Sequence, residues 1–176
     1  MPDAHRQPTT RHNSREVRAD AIRLRPVVPG NLPALFQMQL DPEANDMAGT
    51  KPRTRDAFFA AWERHLADPG VSARVIEIDG AHGPEIVGSV GRHQADGHDC
   101  VGYWIARAHW GKGVASRALM MFLAEERRRP LHATSARNNA PSQRILEKCG
   151  FRCVGFRMEE ETERFLAREI ADFVLE

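Results

Sequence analysis

"VGYWIARAHWGKGVASRALMMFLAEE", Val101 to Glu126, changes its periodicity halfway along, and that change decides the fold. Val101 to Ile105 is β-branched and aromatic, the composition of a strand. Ala115, Leu119, Phe122 and Leu123 then recur at i, i+4, i+7 and i+8, the stripe of a helix with one buried face. Between them stand Gly111 and Gly113, so the local order is strand, tight turn, helix. Such a turn gathers backbone N–H groups around an anion, because the first helical turn has unpaired donors and the positive end of the dipole.

Upstream, "SARVIEI" (Ser72 to Ile78) and "EIVGSVGR" (Glu85 to Arg92) read as strands joined by the turn-rich "DGAHGP", and "HQADGH" leads into the Val101 strand as an antiparallel meander. Before them, "AIRLRPV" alternates like a half-buried first strand and stops at Pro26. Asn31 is placed to cap a helix carrying Leu32, Leu35, Phe36 and Leu40, ended by Asp41-Pro42. An irregular segment, "EANDMAGTKP", precedes a second helix from about Thr54, with Phe58, Trp62, His65 and Leu66 inward and Asp68, Pro69 and Gly70 as its stop. Downstream, "LHATSA" (Leu131 to Ala136) is a short strand. In "RNNAPSQRILEKCGF", Asn139 caps a helix with Pro141 in its first turn, and Gly150 ends it. "RCVGFRMEEETERFLAREIADFVLE" supplies two final strands around a polar connection. This order predicts an α+β fold on a mixed sheet, not a doubly wound parallel one. Residues 1–20 are polar enough to form a mobile tail, which leaves 21–176 as a single domain.

Composition narrows function. A net charge of +1 on 176 residues lacks the basic surplus of a nucleic-acid binder. The run Arg127 to Arg129 closes a helix, where cations suit the dipole. Three cysteines, Cys100, Cys149 and Cys153, follow no zinc spacing, and with no secretory signal they suit a cytoplasmic protein with reduced thiols. His93 and His98 beside Cys100 read as solvent-facing loop residues, so no metal is expected. No apolar run reaches membrane-spanning length.

The glycine turn fails two templates. A P-loop needs Gly-Lys-Ser/Thr, but Gly113 is followed by Val114. A dinucleotide fingerprint needs a third glycine where Ser116 stands, and an acidic residue that the following strand lacks. A third pattern fits: "WGKGVAS" after "YWI", followed by "NNAPSQRILEKCGF", resembles the GNAT-type N-acetyltransferases, in particular the branch of ribosomal-protein N-terminal (serine/alanine) acetyltransferases. The resemblance covers about Ala21 to Glu176. Gly113 and Ala115 fill the small positions of that family's turn, and Trp110 stands where Gln or Arg is usual.

The resemblance implies a mostly antiparallel sheet with one splayed parallel strand pair, flanked by helices, and acetyl-CoA as co-substrate. It implies that the amides of Lys112, Gly113, Val114, Ala115 and Ser116 hold the pyrophosphate, with Lys112 adding charge. Backbone groups near Trp104 and Ile105 would face the pantetheine arm, one N–H serving a developing oxyanion. The chemistry has two proton problems: the amine must lose a proton and the thiolate, with a thiol pKa near ~8.5, gains from receiving one. In that branch a Ser in an N-x-x-S pattern gives the proton to sulfur, which places Asn139 at the coenzyme and Ser142 as the acid. A Glu on the penultimate strand is the base, landing on Glu161, with Glu159 and Glu160 as register alternatives. An amine acceptor, small molecule or peptide N-terminus, is the implied partner, with a homodimer compatible and no nucleic acid or membrane. The "DPEANDMAGTKP" loop walls the acceptor site by the same analogy. A catalytically silent CoA-binding sensor or interaction module is the alternative.

Overall fold

The computed structural model describes residues 22–176, so the expected tail lies outside the described residues. Seven strands form one sheet in the order β1-β2-β3-β4-β5-β7-β6. They are β1 (Ile22–Pro26), β2 (Ser72–Gly80), β3 (Gly83–Ala95), β4 (His98–Ile105), β5 (Leu131–Ala136), β6 (Arg152–Glu159) and β7 (Arg168–Leu175). Every pairing is antiparallel except β4 with β5. That parallel pair meets at a single register point, Cys100 opposite His132, and diverges beyond it. The expected splayed pair is therefore present in an α+β fold.

The helices are α1 (Leu32–Met38), α2 (Pro42–Ala48), α3 (Arg55–Ala67), α4 (Val114–Glu125) and α5 (Ala140–Lys148). One core cluster packs α4 and α5 on the sheet: Leu119 and Phe122 of α4 and Leu146 of α5 are almost fully buried with Val87, Leu131 and Phe173. A second cluster packs α1 and α3 through Leu35, Phe36 and Phe58 against Val75. The α4 stripe behaves as its spacing predicts, with Ala115 and Leu123 at its half-buried margin.

Three expectations differ. "EANDMAGTKP" is not irregular: α2 occupies most of it, because the Asp41 carboxylate caps the Glu43 and Ala44 amides at 3.0 and 3.1 Å and Gly49 closes the helix at φ +62°. The Asp-Pro pair that ends α1 also starts α2. Asn31 precedes α1 without a side-chain cap bond; its amide oxygen instead accepts from Arg25 and from the Val28 N–H, each at 3.0 Å. Leu40, His65 and Leu66, expected inside, are exposed.

Candidate active site

The turn after β4 is built around two left-handed glycines. Gly111 has φ +70° and Gly113 φ +76°, a region that side-chain-bearing residues enter only at a cost. Gly113 is the N-cap of α4 and offers no side chain to cap it, so the amides of Val114, Ala115 and Ser116 have no intrahelical acceptor. Trp110 shows why an aromatic residue works at its position: the indole N–H donates to the Ile105 carbonyl at 2.9 Å, tying the turn to the end of β4. Lys112 is placed differently from expectation. Its ammonium donates to the Ala108 carbonyl at 2.7 Å and does not reach the cleft lining, so it staples the turn. Arg117, unnoticed in the sequence, lies against Gly113 and has a buried NH group with no partner.

The turn opens into a cleft of about 780 Å³ between the diverging strands. Trp104, Ile105, Gly113, Val114, Ala115, Ser116 and Asn139 all line it. Ladder alternation sharpens the β4 expectation. Ala106 donates to Val87 at 2.8 Å, and Trp104 lies opposite Ser89 on the same register, so the Trp104 backbone groups point to β3 while the Ile105 N–H points into the gap. A cleft with uncapped amides at one end and a strand edge along its wall fits a long anionic ligand with an extended arm.

Ser142 lies in the same cleft. A Ser in a first helical turn commonly caps a free amide with its own hydroxyl. Here the Asn139 side chain takes that role, accepting from the Ser142 N–H at 3.1 Å. The Ser142 hydroxyl is thereby released, and its Oγ lies 2.8 Å from the Tyr103 hydroxyl. Burial pushes the Tyr103 phenol up to about 12, so it is neutral and a hydrogen-bond donor at physiological pH. Strand periodicity places Tyr103 on a face but does not reveal this partner 39 residues away.

The glutamates are not brought to the cleft. Strand β6 ends at Glu159, so Glu160 and Glu161 lie in the connection to β7, not on the penultimate strand. Glu161 is exposed and paired with Lys51, whose ammonium holds its carboxyl below the usual range. Glu159 pairs with Arg168 at 3.6 Å. The far wall of the cleft comes instead from the end of α2 and from the β6–β7 connection, through Met47, Thr50, Arg164 and Phe165. These segments are knitted by a Thr50–Phe165 bridge and by Lys51 N–H to Arg164 carbonyl at 2.8 Å. His93, expected in a loop, lies on β3 opposite Cys100 and lines the cleft; partial burial and adjacent Arg92 lower its pKa, which favours the neutral imidazole. Among the described residues no cluster of three or more His, Cys, Asp or Glu could hold a metal, and no helix is long and apolar enough to cross a membrane.

Fold and cleft together define an N-acetyltransferase that uses acetyl-CoA as co-substrate. The chain belongs to the GNAT acetyltransferase family: the model described as "Acetyltransferase (GNAT) domain" matches residues 21–152. Among solved structures, the Vibrio cholerae spermidine N-acetyltransferase in complex with CoA and spermine is similar at TM-score 0.71 and 20% identity, over 89% of this chain and 95% of that one. Mycobacterium smegmatis RimJ in complex with CoA-disulfide is similar at TM-score 0.66 and 23% identity, over 88% and 81%. A GNAT-family acetyltransferase from Bacillus anthracis reaches TM-score 0.72 at 18% identity, over 90% and 96%. No curated protein sequence matches the chain.

Proposed function

We propose that this enzyme transfers the acetyl group directly to a primary amine, with Ser142 giving the proton to the departing sulfur, and that it belongs to the branch with the ribosomal-protein N-terminal acetyltransferases. The observation that carries the reading is the single cleft joining the uncapped amides of α4 to a Ser142 hydroxyl that is excused from helix capping. The α4 amides hold the pyrophosphate, aided by Arg117, and Asn139 sets the start of α5. The Ile105 N–H is available to a developing oxyanion. Attack forms the amide bond and breaks the thioester carbon–sulfur bond; the amine's proton goes to a base, the Ser142 proton goes to the thiolate, and the proton held by the base returns to Ser142 through solvent. No covalent enzyme intermediate is needed, so the cysteines have no assigned step. Residues 21–176 act as one domain in this reading.

Two groups compete for the amine's proton. Glu161, the base implied by the family resemblance, is outside the cleft lining and paired with Lys51. His93 is favoured by two observations: the lining contains no Asp or Glu, and of its two histidines His109 is paired with Glu85 at 3.3 Å while His93 has no carboxylate partner among the described residues. With His93 as base, His93→Gln lowers kcat at neutral pH and removes the acid limb of the pH–rate profile, while Glu161→Gln leaves both within about twofold. The opposite ranking restores Glu161.

The reading is tested by thermal shift with acetyl-CoA, NAD and ATP in parallel. Acetyl-CoA at ~100 times its Kd adds ~2.7 kcal/mol. Stabilisation by NAD or ATP alone overturns the assignment. Stabilisation by acetyl-CoA without thiol release across an amine and peptide panel supports the silent CoA-binding module instead.

A further inference from the structure

Four cationic side chains line the cleft, Arg144, Lys148, Arg164 and Arg168, and no carboxylate opposes them there. They divide into two pairs by element. Arg144 and Lys148 stand about one turn apart on α5, the helix that begins with the Asn139 cap and meets α4, and so share the side of the glycine turn and its phosphate-binding amides. Arg164 and Arg168 come from the opposite wall, the β6–β7 connection and the first residue of β7.

This second pair is short of negative charge. Among the described residues Arg164 has no carboxylate partner; its guanidinium bonds the Lys51 carbonyl. Burial and the neighbouring Arg53 guanidinium lower its pKa to about 10. Arg168 has a side chain only 16% exposed, a long ion pair to Glu159 at 3.6 Å, a bond to the Ala48 carbonyl, and a buried Nε with no partner. Glu161, the nearby carboxylate that could neutralise the wall, is held by Lys51. Two guanidinium groups gathered in a half-desolvated wall with Glu159 as their one carboxylate partner among the described residues are costly until an anion meets them, and their planar fork of donors matches carboxylate and phosphate oxygens.

We propose that Arg164 and Arg168 form an anion subsite for the acetyl acceptor, so that the acceptor is a primary amine that also carries a carboxylate or phosphate group. The proposal rests on the acetyltransferase reading. It excludes polyamines as preferred acceptors, since their second ammonium would face these arginines.

The test uses matched amines with the full chain and acetyl-CoA, read by thiol release: O-phosphoethanolamine against ethanolamine, and β-alanine against β-alaninamide, with spermidine alongside. The anionic member of at least one pair is expected to show about tenfold or greater kcat/KM, and the pair that shows it tells phosphate from carboxylate. Arg164→Gln should bring that ratio towards one, Arg164→Lys should keep most of it, and both should leave the acetyl-CoA KM within about twofold. Equal turnover within both pairs, preference for spermidine, or a raised acetyl-CoA KM in Arg164→Gln overturns the subsite.

Should none of these amines react, inorganic phosphate is titrated into the protein saturated with coenzyme A, against chloride of equal ionic strength. Saturable thermal stabilisation of the wild type that Arg164→Gln abolishes supports the subsite; none, or an equal effect in the variant, overturns it. Failure of coenzyme A itself to stabilise the protein counts against the acetyltransferase reading and is seen separately.

Discussion

At the scale of single residues, the informative question about Ser142 is which hydrogen bonds it does not have to make. The N-x-x-S spacing and the Asn139 cap are visible in the sequence; the structure adds that the cap falls on the Ser142 N–H and that the Ser142 hydroxyl meets Tyr103. Tyr103 was legible as a strand residue and no more, because alternation fixes a face and not a partner on another element. Its phenol, 2.8 Å from Ser142 Oγ, acts as a positioning residue. Tyr103→Phe keeps the ring packing and should lower kcat about tenfold with the acetyl-CoA KM unchanged; in a Ser142→Ala background it should lower kcat no further, and additive losses would show that the two hydroxyls act separately. A stability signature accompanies it. Burial pushes the phenol up to about 12 from its ordinary value, so its contribution is whole below about pH 10 and is lost as pH rises through the folded value. Thermal melts between pH 9 and 11 should therefore fall more steeply for the wild type than for Tyr103→Phe.

At the scale of elements, the strand–turn–helix unit was readable because its signal is local: a change of period, two glycines, and no long-range partner. Helix α2 was missed for a complementary reason. One Asp-Pro pair serves as the stop of α1 and the cap of α2, and a reading that allows each signal a single use spends it on the first. Glu161 lies outside the penultimate strand expected to carry it, since β6 stops two residues short of it, and strand ends are fixed by pairing with β7, which sequence does not display. The turn yields its own prediction. Gly113→Ala places a Cβ on a backbone at φ +76°, which costs about 1–2 kcal/mol, and sets a methyl group beside the amides that receive the pyrophosphate. The acetyl-CoA KM should rise well beyond what the loss of stability explains. Gly30→Ala, where a Cβ meets nothing within 4 Å, should leave both melting temperature and KM near wild type.

At the scale of the molecule, the cleft exists because one parallel pair is pinned at a single point and open beyond it, and the pin needs an anchor. Arg92, only 4% exposed on β3, supplies one: it donates to Glu126 after α4 at 2.8 Å, to Asp99 at the start of β4 at 3.0 Å, and to the Gly70 carbonyl. These bonds draw the end of α4 and the start of β4 together beside the Cys100–His132 register point, while the other end of α4 carries the glycine turn. Removing the cation leaves two half-buried carboxylates with Arg128 as their remaining partner, so Arg92→Met should lower stability, measured by denaturant unfolding at pH 7. Burial tends to raise the Glu126 carboxyl, but the Arg128 amide and the Arg92 guanidinium outweigh it and hold it below its ordinary value; Asp99 is likewise held low against its own desolvation by Gln94, Arg92 and Arg128. A carboxyl lowered on folding stabilises above its unfolded pKa, near ~4, and loses that contribution as pH falls through the folded value. The gap between wild type and Arg92→Met should thus be widest at neutral pH and narrow progressively below about pH 4. A gap that stays constant across that range would mean that Arg92 acts through packing of its stem, and not through the charges it joins at the closed end of the cleft.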